Sequence, residues 1–304
     1  MRIILIGQAA FGEKTLEKLV SKGEDVLAVY CPPDPAGGKL DPIKQKALAL
    51  RIPVNQPKTF KDPQVQENFK SLNADLGILA FVSQIIPPPV FSAPRFGSLC
   101  YHPSLLPKHR GRSAINWTLL NGEHETGFTI FWLDQGIDTG PILLQKKVPI
   151  DPNDTTGSLY FNKLFPMGIE AMAEAVDLVK AGNPPRIVQD ESQATYEPIF
   201  GDEHCAVDWS KPAGEVYNLI RASDPQPGAH TMFNGKVVRL FDARLASSAN
   251  AASAGTVTGI NAEDMTVALN GGTLAVKKAR GEGAKSNAAE FARQAGLKIG
   301  DRLG

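Results

Sequence analysis

Two residues of this chain are placed to move a proton. His102 closes an apolar run, Ser98 to Tyr101, and is followed by Pro103 and then by the basic stretch Lys108-His109-Arg110-Gly111. Asp138 lies between Gly136 and Gly140 in the loop LDQGIDTG, Leu133 to Gly140, which follows a second apolar run, Phe128 to Leu133. An imidazole gives or takes a proton near neutral pH, and a carboxylate can accept the proton that a nucleophile loses. Glycines on both sides of Asp138 let the backbone approach a ligand closely. Period-two alternation puts Cys100 on the same strand face as His102, and Tyr101 on the other. Cys100 therefore has two readings: a nucleophile that carries an acyl group as a thioester, or a small apolar residue packed beside the imidazole. Singly, His102 reads as a structural histidine and Asp138 as a turn residue. Together, with Ser104 to Pro107 and Arg110-Gly111 around them, they read as a catalytic pair.

The elements that must hold this pair belong to an α/β fold. Arg2 to Ile6 is a β-branched strand ending at Gly7, and Asp25 to Tyr30 is a second strand. Between them Phe11, Leu16, Leu19 and Val20 mark one helical face that stops at Gly23. This βαβ unit predicts a parallel sheet. Asp75 to Phe81 is continuously apolar, as a central strand covered on both faces is. Its following loop, VSQIIPPPVFSAP, lies where open α/β sheets hold ligands, and Pro87 to Pro89 stiffen it. Gly7 and Gly12 do not make GxGxxG, and no acidic residue closes the second strand, so NAD is not expected.

Further along, Ile142 to Val148 reads as an antiparallel or edge strand, and Asp154 to Lys180 as one long helix. After Gly182 and Pro184-Pro185 the residues to Ile199 are polar and proline-punctuated. Beyond a helix over Ala213 to Arg221, short strands separated by Gly and Asn turns predict a small barrel. Ala246 to Ala254 (ASSANAASA) reads as a flexible loop within it. The expected organisation is a domain over 1–186, a linker over 187–203 and a second domain over 204–304.

Composition narrows the function. The 304 residues carry 32 Lys and Arg against 32 Asp and Glu, a formal net charge of zero, so nothing in the overall balance calls for nucleic acid or an anionic membrane. The three cysteines, Cys31, Cys100 and Cys205, have no metal-ligand spacing, and no metal is expected. An odd cysteine count, an N-terminus that reads as a strand rather than a leader, and no apolar run near the ~20 residues of a membrane span predict a cytoplasmic protein.

The runs HPSLLPKHRGRSAINW and FTIFWLDQGIDTGPIL resemble the folate-dependent formyltransferase family, and the likeness extends over nearly the whole chain. The resemblance implies a Rossmann-like formyltransferase domain followed by a small OB-like barrel, with 10-formyltetrahydrofolate as the formyl donor. It implies that Gln84, Ile85 and Ile86 grip the pterin, largely through backbone hydrogen bonds, and that Ser104, Arg110, Gly111 and Asp138 help to hold the folate. It gives His102 the task of stabilising the formyl oxygen or protonating the departing nitrogen. It gives Asp138 the nucleophile's proton, or a water held in line.

Two departures bear on the acceptor. Transferases of this family carry Asn two residues before the histidine, where this chain has Cys100, a weak donor. Losing an oxyanion donor costs about 3–4 kcal/mol. The hydrolase domain of 10-formyltetrahydrofolate dehydrogenase also lacks that Asn. The loop Pro32 to Pro42 holds one lysine, Lys39, where phosphate contacts to tRNA need several basic residues. The expected activity is therefore hydrolysis of the formyl group or its transfer to a small acceptor. Methionyl-tRNA as acceptor is the alternative, supported by the barrel with Lys277-Lys278 and Arg280. A non-catalytic folate-binding module is the third reading.

Overall fold

The N-terminal βαβ unit sets the order of the larger sheet. In the computed structural model, which describes residues 1–246 and 251–304, β1 (Arg2–Gly7) leads through α1 (Ala9–Ser21) to β2 (Asp25–Tyr30), and β1 and β2 pair in parallel. The chain continues through α2 (Pro42–Ala49), β3 (Val54–Asn55) and α3 (Pro63–Ser71) to β4 (Leu76–Ala80), which pairs with the other side of β1. Then follow α4 (Pro88–Phe91), β5 (Ser98–His102), α5 (Ala114–Leu120), β6 (Glu125–Trp132) and β7 (Ile142–Pro149). The sheet order is β3-β2-β1-β4-β5-β6-β7, with β5 parallel to β4 and antiparallel to β6. Every residue of β4 is buried, as its unbroken apolar run requires. Phe11, Leu16 and Leu19 of α1 are buried as their spacing predicts, whereas Val20 is half-exposed.

The expected long helix over 154–180 is interrupted. A short α6 (Thr156–Leu159) passes through a π-helical turn, Tyr160–Leu164, into α7 (Phe165–Lys180). Pro166 has no N–H to donate to the preceding turn, so the regular i to i−4 ladder does not run through it. The three prolines Pro87 to Pro89 do more than connect. Pro87 is the cap of α4, and Pro88 and Pro89 open it, where missing N–H groups leave no bond unmade.

The second sheet is antiparallel. After α8 (Ala213–Ser223) come β8 (Ala229–Phe233), β9 (Lys236–Ala246), β10 (Val257–Ile260), β11 (Met265–Leu269), β12 (Gly272–Arg280), β13 (Ser286–Asn287) and α9 (Ala288–Ala295). Its order is β10-β11-β12-β9-β8, with β13 on β12. Its core includes Trp209, Val216, Ile220, Leu240, Val257, Val267 and Leu274. Of the low-complexity stretch expected as a flexible loop, residues 247–250 lie outside the described residues.

The chain forms two compact units, and their bounds do not follow the sequence simply. One comprises residues 1–111, 127–148 and 162–196, and the other residues 112–126, 149–161 and 197–304. Within the first unit, β5 is fixed from behind by an aromatic group: Tyr101 packs against Phe11 at 4.5 Å and Phe128 at 5.7 Å between ring centroids. β6 is fixed by close backbone approach. A Cβ added at Gly127 would lie 2.1 Å from the carbonyl oxygen of Lys146 on β7 and 2.5 Å from Leu105. Gly127→Ala is accordingly expected to cost about 1–3 kcal/mol through overpacking, read as a lower midpoint of thermal unfolding.

Candidate active site

β5 carries His102 to the edge of the sheet's C-terminal end, opposite Thr129 of β6. The imidazole is buried, at 6% exposure, and both its nitrogens have neighbours. Nε2 lies 2.7 Å from the backbone carbonyl of His109. A carbonyl only accepts, so Nε2 carries a hydrogen and donates it. Nδ1 faces Asp138 Oδ2 at 3.5 Å. Nδ1 is therefore the nitrogen left open to exchange a proton, and it lies beside a carboxylate.

Three devices put that carboxylate there. First, the loop folds on itself: Asp134 accepts hydrogen bonds from the Gly136 N–H at 3.0 Å and the Thr139 hydroxyl at 2.6 Å. Secondly, Asp138 has a left-handed backbone, φ 57°, which Asp tolerates better than most residues. Its Oδ2 also accepts the Gly111 N–H at 2.8 Å, so the carboxylate is held from two sides. Thirdly, the loop returns to the sheet at Gly140, where a Cβ would lie 1.7 Å from the Trp132 carbonyl oxygen. Only glycine permits that approach.

Behind the loop sits Gln189. Its amide nitrogen donates to the carbonyls of Asp138 at 2.8 Å and Gly140 at 2.7 Å. Its oxygen accepts from Arg110 Nε at 3.2 Å and Nη2 at 2.8 Å. Arg110 completes its valences with both carboxylate oxygens of Glu191, at 2.9 and 2.6 Å, and with the Tyr196 hydroxyl. The guanidinium is fully buried, which is tolerable for a charge only when it is paired this thoroughly. The hydrogen bond to Glu191, outweighing desolvation, holds Arg110 above its ordinary pKa, and Glu191 is held below its own.

The expected residues do not all gather here. His102, Asp138 and Gly111 do. The Arg110 side chain meets the Asp138 loop through Gln189, and its guanidinium is bonded to Gln189, Glu191 and Tyr196. Ser104 is buried in the turn after β5, its hydroxyl donating to the Lys108 carbonyl at 2.6 Å and its carbonyl accepting from the Thr129 hydroxyl at 2.7 Å. Gln84 lines a hollow with Gly7, Gln8, Tyr30, Cys31 and Ser83, while Ile86 is buried in the apolar cluster behind it. Ile85, at 75% exposure, is presented to solvent from the same loop. Cys100 packs against that apolar cluster, and desolvation, aided by the negative charge of Asp138, pushes its thiol far above the ordinary range. The thiolate that a covalent role needs is thus disfavoured.

The sequence reading missed Gln189 and the His109 carbonyl. Gln189 fell in a stretch expected as linker, and nothing in its type marks it. The structure sews that stretch to the first unit: Ile187 and Ile142 exchange both backbone hydrogen bonds, and Thr195 holds the backbone of His109 and Arg110. Replacing Gln189 with Leu would orphan two carbonyls and part of a buried guanidinium. We expect a loss of about 2–3 kcal/mol, seen in thermal unfolding, and a lower turnover of any reaction that depends on Asp138.

Comparison with known proteins agrees with this architecture. Residues 1–176 match the Formyl transferase model, and residues 201–296 match the model for its C-terminal domain. The chain is 44% identical over 255 residues to mitochondrial 10-formyltetrahydrofolate dehydrogenase of Mus musculus, covering 82% of this chain but 27% of that protein. It thus spans about a quarter of the length of that relative. It is 37% identical over 305 residues to methionyl-tRNA formyltransferase of Geotalea uraniireducens (strain Rf4), covering 98% of this chain and 96% of that one. Among solved structures, HypX from Aquifex aeolicus superposes with a TM-score of 0.72 at 20% identity, over 99% of this chain and 48% of that one, a likeness of fold. With both domain models matched, and a relative aligned from end to end, this chain belongs to the formyl transferase family.

Proposed function

We propose that the protein is a 10-formyltetrahydrofolate-dependent enzyme that releases the formyl group to water or passes it to a small acceptor. The observation that carries this reading is the pair formed by His102 Nδ1 and Asp138 Oδ2 at 3.5 Å, set on a buried base and fixed by Gly111 and Gln189. The nucleophile, water or an amine, gives a proton to Asp138 as its lone pair attacks the formyl carbon. The carbonyl electrons move to oxygen, where the Nδ1–H of His102 stabilises the charge. When the oxygen's electrons return, the bond from carbon to the folate nitrogen breaks, and that nitrogen takes a proton from the imidazole. The His102 carbonyl-bound edge stays fixed throughout, so the ring keeps one orientation.

Hydrolysis or small-acceptor transfer fits Cys100 at the position where transferases have an amide donor. It also fits the loop over 32–42, whose single lysine offers little to a nucleic-acid backbone. Methionyl-tRNA as acceptor is favoured by one observation, the end-to-end similarity to a methionyl-tRNA formyltransferase. The same reading takes the antiparallel unit as an OB-like barrel and the protein as cytoplasmic. Its three free cysteines fit a reducing compartment.

Formation of tetrahydrofolate by the purified protein, with no acceptor, with small amines and with methionyl-tRNA, separates these readings. Turnover without nucleic acid is expected; turnover only with methionyl-tRNA would replace the first reading by the second, and binding without turnover by a carrier role. His102→Ala and Asp138→Asn are expected to lower kcat by about a hundredfold or more while KM changes little. Cys100→Ala is expected to keep most of the rate, and its inactivity in a folded protein would reinstate the covalent route.

A further inference from the structure

The Nε2 edge of His102 is held by the His109 carbonyl at 2.7 Å, so whatever aims that carbonyl also sets the ring. His109 has a left-handed backbone, φ 55°, which is unfavourable for a residue with a Cβ. A return to the right-handed or extended regions would rotate the peptide planes on both sides of His109. The carbonyl would be carried away from the imidazole with them.

Both planes are tied to Thr195. In the plane before His109, the His109 N–H donates to the Thr195 hydroxyl oxygen at 2.8 Å, and the Lys108 carbonyl accepts the Ser104 hydroxyl at 2.6 Å. In the plane after it, the Arg110 N–H donates to the Thr195 carbonyl at 3.0 Å. Across a trans peptide the N–H and C=O point in opposite directions. An Arg110 N–H anchored on Thr195 therefore aims the His109 carbonyl the other way, at His102. Thr195 is itself anchored on this turn, its N–H donating to the Pro107 carbonyl at 3.2 Å. Its side chain is exposed, so the threonine adds little to a core. What it gives the turn is two acceptors, one on each side of His109.

We infer that Thr195 is a positioning residue for the reaction: by holding the peptide planes on both sides of His109, it fixes the carbonyl that keeps a hydrogen on His102 Nε2 and leaves Nδ1 open towards Asp138. The catalytic task of His102 rests on the proposed function; the hold of Thr195 on the ring does not.

The test is the rate at which the His102 Nε2 hydrogen exchanges with solvent, read by NMR of the full chain for wild type, Thr195→Val and Thr195→Ser, with kcat and KM for 10-formyltetrahydrofolate measured alongside. Valine keeps the shape of threonine and removes the acceptor, whereas serine keeps the acceptor. With valine the ring hydrogen is expected to exchange about fivefold faster, the factor that one lost hydrogen bond gives, while the amides of β4 keep their wild-type rates. The same variant is expected to lower kcat by about fivefold with KM little changed, and serine to restore both readouts. A ring hydrogen that keeps its wild-type rate in Thr195→Val, or that speeds up only in step with the β4 amides, overturns the inference. So does an unchanged kcat once the ring is loosened. A wild-type ring with no hydrogen on Nε2 overturns it without any variant. If the ring hydrogen responds as expected but no variant, nor the wild type, turns over folate, the hold of Thr195 stands and the catalytic reading fails. A working enzyme whose ring ignores the valine gives the reverse.

Discussion

The rest of the site depends on one interaction, a loop carboxylate held against a buried imidazole. Left to itself, the loop from Leu133 to Gly140 would have no reason to settle where Asp138 meets His102. It settles because Gln189 grips the Asp138 and Gly140 carbonyls from behind, and because Arg110 grips Gln189. The buried guanidinium gives the arrangement its rigidity. An unpaired charge there would be strongly destabilising, and Gln189, Glu191 and Tyr196 supply its partners. The cost of ordering 187–196 is thereby spread over several charge-assisted hydrogen bonds.

The two halves of the pair are oriented by different means. His102 is set by the sheet: its position at the end of β5 and the aromatic packing of Tyr101 on the opposite face fix the backbone, and the His109 carbonyl fixes the ring. Asp138 is set by a loop: an internal carboxylate staple, a left-handed residue and a glycine that tolerates a carbonyl against its α-carbon shape it, and Gly111 and Gln189 hold it from outside. A rigid element and a tightly stapled loop meet across 3.5 Å, a separation that a bound water or nucleophile can shorten through either partner.

Much of this was legible in the residues. Hydrophobic continuity marked β4 as central, period-two alternation separated Cys100 and His102 from Tyr101, and glycines on both sides singled out Asp138 from the other acidic residues. What escaped depended on contacts distant in sequence. The family resemblance marked Arg110 as a folate contact, and only the fold reveals Glu191 and Gln189 around it. Only the fold reveals, too, that the Ser104 hydroxyl closes a local turn. The long helix over 154–180 was broken by Pro166, whose effect on hydrogen bonding a hydrophobic stripe does not register. Gln189 carried no signal at all, being a polar residue in a proline-rich stretch, and its role exists only once Ile187 is paired with Ile142.

The central claim is that the Nδ1 edge of His102 exchanges its proton against Asp138 while the Nε2 edge is held by a backbone carbonyl. Nitrogen-15 NMR of the imidazole rings tests it most directly. With the His109 carbonyl accepting from Nε2, the neutral His102 ring is expected to carry its hydrogen on Nε2 and to leave Nδ1 bare towards Asp138. A neutral ring that carries its hydrogen on Nδ1 would contradict it.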